Sequence, residues 1–361
     1  MNKIHFVLRK GIYPYRTGGM EIFNYYLIKN LSEFYDISYS SYKPLNFNSG
    51  HFHKLINIRP SLIFEPLQIL LFLIAHKKIR TVVYSFSLDH WVAWLLYTII
   101  HKITNINYIA VIHYGKNPIT THKSIYRNFF LSAKKVIAVS KDIKEKYDAL
   151  YGINCDICYP LVPFQESNKS KETLRSEYNI PQDASVICMV GSLKEMKNPD
   201  TLLQSLLLFN NIELKQYNPY IVYAGDGQKR SELQQFVSDH NLFDRVKFLG
   251  NVPKERVNEI FKLSDIYVIS SDFEGTSVSL LESMFHRTPI IASDVQGIKD
   301  TVTRDKECLM FPVRDQRELK NMICKYLSNS KLQYDMARNA FDKYEKNYNY
   351  SNIISFYRNI L

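Results

Sequence analysis

Short apolar runs rich in Val, Ile and Tyr alternate with longer stretches of helical spacing along the whole chain. Residues 4–8, 81–85, 108–112 and 136–139 read as strands in the first half. Residues 185–190, 220–224, 246–249, 266–269 and 289–292 read as strands in the second. Most of these runs are largely apolar, and 185–190 reads as a fully buried strand. Between them, residues 21–34 and a segment from about Asp89 repeat their apolar positions at helical spacing. The rhythm of strand, polar turn and helix predicts parallel sheets wrapped by helices. It breaks at residues 160–172, PLVPFQESNKSKE, where two prolines sit beside a polar cluster, and then restarts. The expectation is therefore two doubly wound α/β domains in series, a number that a chain of 361 residues also suggests.

Charge sharpens this division. Residues 1–165 hold 20 Lys and Arg against 9 Asp and Glu, whereas residues 166–361 hold 26 of each, so the whole net charge of +11 lies in the first half. Such asymmetry points to an anionic partner for that half, a lipid surface or an anionic acceptor, or else to a surface enriched in lysine for solubility. No nucleic-acid recognition module is recognisable. The most apolar runs, residues 69–75 and 91–100, fall short of the ~20 residues that a membrane span needs. Both end in basic residues, HKKIR and HK, as a core helix or an amphipathic helix with its end on a membrane would. The first residues, MNKIHFVLRKG, read as a strand rather than a signal peptide. With an odd count of five cysteines this suggests a reducing compartment and free thiols, and Cys155 and Cys158 lack a second pair at zinc-binding spacing.

Ligands of such sheets gather at the carboxyl ends of strands, so the loops after the strands are where chemistry is sought. Four stand out. In VGSLKEMKN, Gly191 allows a tight turn and Lys194 and Lys197 precede a helix near Asp200, either a phosphate site or a plain turn with solvated lysines. In YAGDGQKRSEL, Gly225 and Gly227 close a strand, a weak signal alone. In SSDFEGTSVSLLESM, Glu274 lies in a loop, Thr276 or Ser277 is placed to cap a helix beginning at Val278, and Glu282 falls on its second turn. The two carboxylates are then too far apart along the helix to flank one small bond. A division of labour fits better, one acid on the sugar side of a nucleotide-sugar and the other on its ribose hydroxyls. The fourth loop, IIASDVQG, leads through Ser293 and Asp294 to Gly297.

The order of these segments resembles the retaining glycosyltransferases of family 4, within the glycosyl transferases group 1. The family's pair of glutamates with seven residues between them matches Glu274 and Glu282. Its glycine-rich lysine loop matches Gly191 to Lys197, and residues 224–271 follow its pattern. In the first half RTGGMEIF resembles the family's double-glycine loop at Gly18 and Gly19, VIHYG its strand-end histidine at His113, and AVSKDIKEKY a later strand end at Ser140. The segment NIISFYRNIL resembles the helix that crosses back onto the first domain. One departure stands out: Ser192 occupies the place where the family often carries arginine, so a bidentate phosphate contact is missing, with Lys194 or Arg16 as candidates to compensate.

The resemblance implies an α/β chain of the GT-B fold, two Rossmann-like domains whose parallel sheets face a central cleft. Residues 1–165 would bind the acceptor, residues 166–345 the nucleotide-sugar, and residues 346–361 would cross back. It implies transfer of a sugar with retention of configuration from a nucleotide diphosphate-sugar, UDP-sugar before GDP-sugar, to a saccharide or lipid-linked saccharide. His113, Glu274 and Lys197 would be catalytic. Gly18, Gly19, Gly191, Ser192, Lys197, Gly225, Glu274, Gly275, Thr276, Ser277, Val278 and Glu282 would bind the donor. No metal or other cofactor is expected, since no D-x-D motif lies in a plausible strand-end loop. The expected setting is the cytoplasm, at the inner membrane face. Two rivals remain: a nucleotide-sugar epimerase of the same fold, and a non-catalytic subunit that binds nucleotide-sugar or membrane and supports a partner glycosyltransferase.

Overall fold

The computed structural model describes residues 2–8, 19–41, 55–57, 64–85, 91–113, 121–159, 164–253 and 256–361. Gly18, Arg16 and the residues just after His113 lie outside them. The chain divides into two compact units, Met1–Pro163 together with Asn349–Leu361, and Phe164–Tyr348.

The first unit is built on seven strands: β1 (Lys3–Val7), β2 (Asp36–Ser41), β3 (Leu55–Asn57), β4 (Ile79–Ser85), β5 (Asn107–Ile112), β6 (Lys135–Ala138) and β7 (Asp156–Ile157). Their order is β3-β2-β1-β4-β5-β6-β7, and every pairing is parallel. Parallel neighbours need crossovers, supplied here by α1 (Gly19–Leu31), α2 (Phe64–Ala75), α3 (Trp91–Thr104), α4 (Lys123–Ser132) and α5 (Lys141–Tyr151). The reversal of strand order between β1 and β4 is the switch point of a doubly wound sheet. Val82, Val83, Ile109 and Ile137 are fully buried at its centre, which is why these strands read as unbroken apolar runs.

The helix Tyr350–Ile360 belongs to this unit. Ile353, Ile354 and Tyr357 enter the first unit's core, where Tyr357 meets Phe23 of α1 with ring centroids 6.2 Å apart. Arg358 lies 4.0 Å above the Phe34 ring, and its carbonyl accepts a hydrogen bond from the Tyr35 hydroxyl at 3.3 Å.

The second unit repeats the plan with β8 (Ser185–Val190), β9 (Pro219–Ala224), β10 (Val246–Gly250), β11 (Ile266–Ile269), β12 (Ile290–Ser293) and β13 (Leu309–Phe311). The order is β10-β9-β8-β11-β12-β13, again all parallel. Its switch point lies between β8 and β11, so the loops after those strands are where a ligand would be expected. All five cysteines are free thiols. Among the described residues no helix is long and apolar enough to cross a membrane.

Candidate active site

In the second unit the loops after β8, β9, β11 and β12 are laced together at one edge of the sheet. Ser270, directly after β11, donates its hydroxyl proton to the carbonyls of Lys197 and Asn198, at 3.1 and 2.8 Å. Asp272 N donates to the Met196 carbonyl at 3.0 Å. From the next strand, Ser293 donates to the Ser271 carbonyl at 2.6 Å. Ser270, Ser271 and Ser293 are fully buried. A short hydroxyl at a strand end can satisfy a loop carbonyl that the ladder no longer reaches.

Glycines set how closely these loops approach. A Cβ on Gly225 would fall 1.8 Å from the Gly191 carbonyl oxygen, and one on Gly227 would fall 2.3 Å from that of Leu193. A Cβ on Gly297 would lie 1.9 Å from the carbonyl oxygen of Glu274 and 2.5 Å from that of Gly275. By contrast, a Cβ on Gly191 or Gly275 would meet nothing within 4 Å. Three glycines thus support the loops from behind, and two face open space. Gly191, at φ +141, and Gly225, at φ +153, hold backbone that side-chain-bearing residues rarely adopt.

Against this frame stand Lys197 and Glu274. Lys197 Nζ donates to Glu274 Oε1 at 2.5 Å, and Ser271 Oγ donates to the same oxygen at 2.6 Å. Glu274 is 6% exposed, so a charged carboxylate here depends on these partners. Lys197 ends a single turn of 3₁₀ helix, Glu195–Lys197, and Asn198 then turns the chain through φ 47 into the helix Asp200–Leu206. Lys194 is exposed and Ser192 half-buried.

The helix Val278–Phe285 begins as expected, with Glu282 on its second turn and buried. Its cap differs. Ser277 sits at the N-cap but makes no capping hydrogen bond; its hydroxyl faces that of Ser279 at 3.1 Å, which in turn meets the Tyr267 hydroxyl at 2.8 Å. The hydroxyl is drawn to its neighbour two residues on rather than to the first-turn N–H groups. Burial holds the Tyr267 phenol well above its ordinary value; the Ser279 hydrogen bond opposes this and the Glu274 charge adds to it. The helix after Gly225 and Gly227 starts only at Arg230.

Sequence reasoning missed Arg314, which carries φ 63 and reaches Asp272 at 2.6 Å and Glu195 at 3.4 Å. It braces both sides of the loop pair from 40 residues downstream of Glu274 in the sequence, with no motif around it. Ser271 and the seat of Gly297 were equally unmarked.

In the first unit, His113 directly follows β5. Its Nε2 lies 2.8 Å from Ser85 Oγ at the end of β4. Ser85 donates to Asn24 Oδ1 of α1 at 2.5 Å, and Asn24 Nδ2 returns a longer bond to the Ser85 carbonyl at 3.4 Å. With its one proton committed to Asn24, Ser85 accepts from His113, so Nε2 carries the hydrogen and Nδ1 presents a lone pair. Burial lowers the His113 pKa to about 3, so the ring is neutral at pH 7. The same ring packs edge-to-face with Phe23, with ring centroids 5.1 Å apart. Gly19 opens α1, the helix that carries Asn24. Ser140, by contrast, is the N-cap of α5: its Oγ accepts from Ile143 N at 3.2 Å and its residue is buried, which accounts for it structurally.

Residues 170–343 match the family model described as glycosyl transferases group 1. The chain is 25% identical over 236 residues to the putative teichuronic acid biosynthesis glycosyltransferase TuaC of Bacillus subtilis, a stretch covering 63% of this chain and 57% of that one. It is 23% identical over 239 residues to the O-antigen biosynthesis glycosyltransferase WclY of Escherichia coli, covering 65% of this chain and 63% of that one. The matched stretch therefore spans less than two thirds of either relative's length. The crystal structure of Anabaena Alr3699/HepE in complex with UDP superposes with a TM-score of 0.81 at 17% identity, covering 99% of this chain and 98% of that one. That likeness carries the GT-B fold across both units. The likeness to the glycosyl transferases group 1 lies in residues 170–343, just under half of the chain.

Proposed function

We propose that the protein is a retaining glycosyltransferase, moving a hexosyl or related sugar from a nucleotide diphosphate-sugar to a saccharide or lipid-linked saccharide acceptor. The observation that carries this reading is the pairing of half-buried Lys197 with buried Glu274, held among glycine turns whose Gly191 and Gly275 face open space. As the glycosidic bond to diphosphate breaks, negative charge grows on the leaving oxygens. Lys197 and the first-turn N–H groups of Val278–Phe285 are suited to stabilise it. Gly191, Ser192, Gly225, Thr276, Ser277 and Val278 would line the diphosphate path. Glu282 would hold the ribose, and Glu274 the hydroxyls of the transferred sugar. His113, neutral and offering Nδ1, would accept from a sugar hydroxyl. The reading assigns the diphosphate charge to these protein groups rather than to a metal.

A UDP-sugar is the favoured donor and a GDP-sugar the next, supported by the UDP-bound Anabaena neighbour. Synthesis of a surface polysaccharide or glycoconjugate is supported by the two relatives named for teichuronic acid and O-antigen. The excess of positive charge in residues 1–165 supports an anionic membrane surface as partner, with the protein peripheral on its cytoplasmic side.

The test is a thermal-shift panel of UDP, GDP, ADP and CMP and their sugars, in EDTA. A nucleotide at about 100 times its Kd adds roughly 2.7 kcal/mol of stability. One nucleotide should stabilise the protein without metal, and Glu282→Ala should remove the effect. Binding by none of them refutes the donor site and favours the non-catalytic subunit, for which Ser192 is the motivating feature.

A further inference from the structure

The outer faces of α2 and α3 are apolar where a water-soluble surface would be polar. On α2, Leu67, Leu71 and Ile74 are 46, 59 and 52% exposed. On α3, Trp91, Leu95, Ile99 and Ile103 are 36, 39, 42 and 69% exposed. Scattered apolar side chains are ordinary, but a contiguous apolar patch on a helical face marks an interaction surface. These are contiguous. Right-handed crossovers from β3 to β4 and from β4 to β5 both step the same way across the sheet, so α2 and α3 lie side by side on one of its faces. A hydrogen bond from the Tyr97 hydroxyl of α3 to buried Glu65 of α2 ties them together. Positions 67, 71 and 74 share one side of α2, and positions 91, 95, 99 and 103 wind slowly along α3.

Among the described residues the exposed charges around this face have one sign. Because both helices run antiparallel to a parallel sheet, they end at the same edge. There Lys77, Lys78 and Lys102 are exposed, while exposed Lys123 and Arg127 lie in the first turns of α4, toward the other end. Residues 64–80, 91–113 and 121–135 contain one carboxylate, Glu65, and it is 1% exposed. Trp91 stacks on His122 with ring centroids 4.6 Å apart at the opposite end. An apolar face with lysines at its rim and no exposed acid among the described residues is what a bilayer of anionic lipid selects, and the same charge repels a second copy of this chain.

We infer that the α2–α3 face is the surface by which this protein lies on an anionic membrane, its leucines and isoleucines among the acyl chains and Lys77, Lys78 and Lys102 on the headgroups. This deepens the membrane reading above but is independent of sugar transfer.

The whole chain is sedimented with vesicles of phosphatidylcholine and phosphatidylglycerol in equal parts, or of phosphatidylcholine alone, at near-physiological salt. The wild-type protein should pellet with the anionic vesicles and not with the neutral ones. A Leu71→Gln, Leu95→Gln, Ile99→Gln variant alters only exposed positions and should lose pelleting. A Lys77→Glu, Lys78→Glu, Lys102→Glu variant should weaken partitioning by at least about 100-fold. A wild-type protein that stays in the supernatant with both vesicles overturns the inference, as does a glutamine variant that pellets undiminished. A wild-type dimer in solution that the glutamine variant turns to monomer also overturns it and gives the face to a second copy. Nucleotide-induced thermal shifts, recorded on the same preparations, separate failure of this surface from failure of the donor site.

Discussion

Gly297→Ala adds a single methyl group, yet it should disable the site. The new carbon would lie 1.9 Å from the Glu274 carbonyl oxygen, where ordinary contact begins at 3.4 Å. The loop must therefore retreat by about 1.5 Å, and overpacking of this kind costs about 1–3 kcal/mol. For a unit of this size the unfolding midpoint should fall by roughly 2–12 °C. Function suffers more. Glu274 Oε1 holds Lys197 and Ser271 at 2.5 and 2.6 Å, and a retreat of that size takes both contacts beyond hydrogen-bond range. A misplacement near 1 Å can cost about 100-fold in rate. Gly275→Ala is the control, because its Cβ would meet nothing within 4 Å, so the midpoint should hold while any ligand seated against that loop is displaced. The assay is thermal unfolding beside turnover of the nucleotide-sugar that the thermal-shift panel identifies. A Gly297→Ala protein with wild-type midpoint and turnover would refute the claim that this close approach places Glu274.

Other expectations are as specific. Lys197→Met leaves the buried Glu274 carboxylate with Ser271 alone among the two described partners and should cost about 1–3 kcal/mol with loss of transfer; denaturant titration showing no change would sink it. Long-range ¹H–¹⁵N spectra should show His113 protonated at Nε2, with Ser85→Ala relaxing that preference; a ring protonated at Nδ1 in the wild-type protein would contradict the Asn24–Ser85 chain. Acid should weaken the first unit. Burial lowers the pKa of His5 and His113 from 6.5 to about 3 and that of His101 to about 4, a nearby His76 adding to the first and a hydrogen bond to Ile106 opposing the last. The unfolded chain then binds protons that the folded one refuses. Stability is full above pH 6.5 and is lost as pH falls toward 4 and then 3, by about 1.4 kcal/mol per pH unit per histidine. A His5→Gln, His101→Gln protein whose midpoint keeps the wild-type pH slope would rule this out.

The strands that the sequence made legible are those buried on both faces, such as Ser185–Val190 and Ile266–Ile269, whose bounds emerge unchanged. Asp36–Ser41 was unmarked because DISYSS sets three serines and an aspartate against two apolar residues, Ile37 and Tyr39. Its serines serve a buried histidine: His5 meets Ser38 at 2.9 Å and Ser40 at 3.3 Å. Leu55–Asn57 and Asp156–Ile157 are too short to carry a period, and Leu309–Phe311 follows a charged turn. At the site, motif spacing could single out Glu274 and Lys197 but not their contact, which joins positions 77 residues apart. Ser277 looked like a cap because its residue type caps helices, and only the approach of Ser279 and Tyr267 redirects its hydroxyl. Gly297 resembles any turn glycine until the backbone behind it is known.

The helix Tyr350–Ile360 gives the two units an order of completion opposite to their order in the chain. The second unit is closed by residue 348, and everything in its core has by then been synthesised. The first unit still lacks Ile353, Ile354 and Tyr357, so the side of Phe23 that meets Tyr357 stays uncovered through the whole translation of its neighbour. On the ribosome the earlier half must wait, with an apolar seam open, for a segment made some 190 residues later. Any chaperone that attends this chain during synthesis should be found on the first unit, and release of the helix Tyr350–Ile360 should be the event that dismisses it.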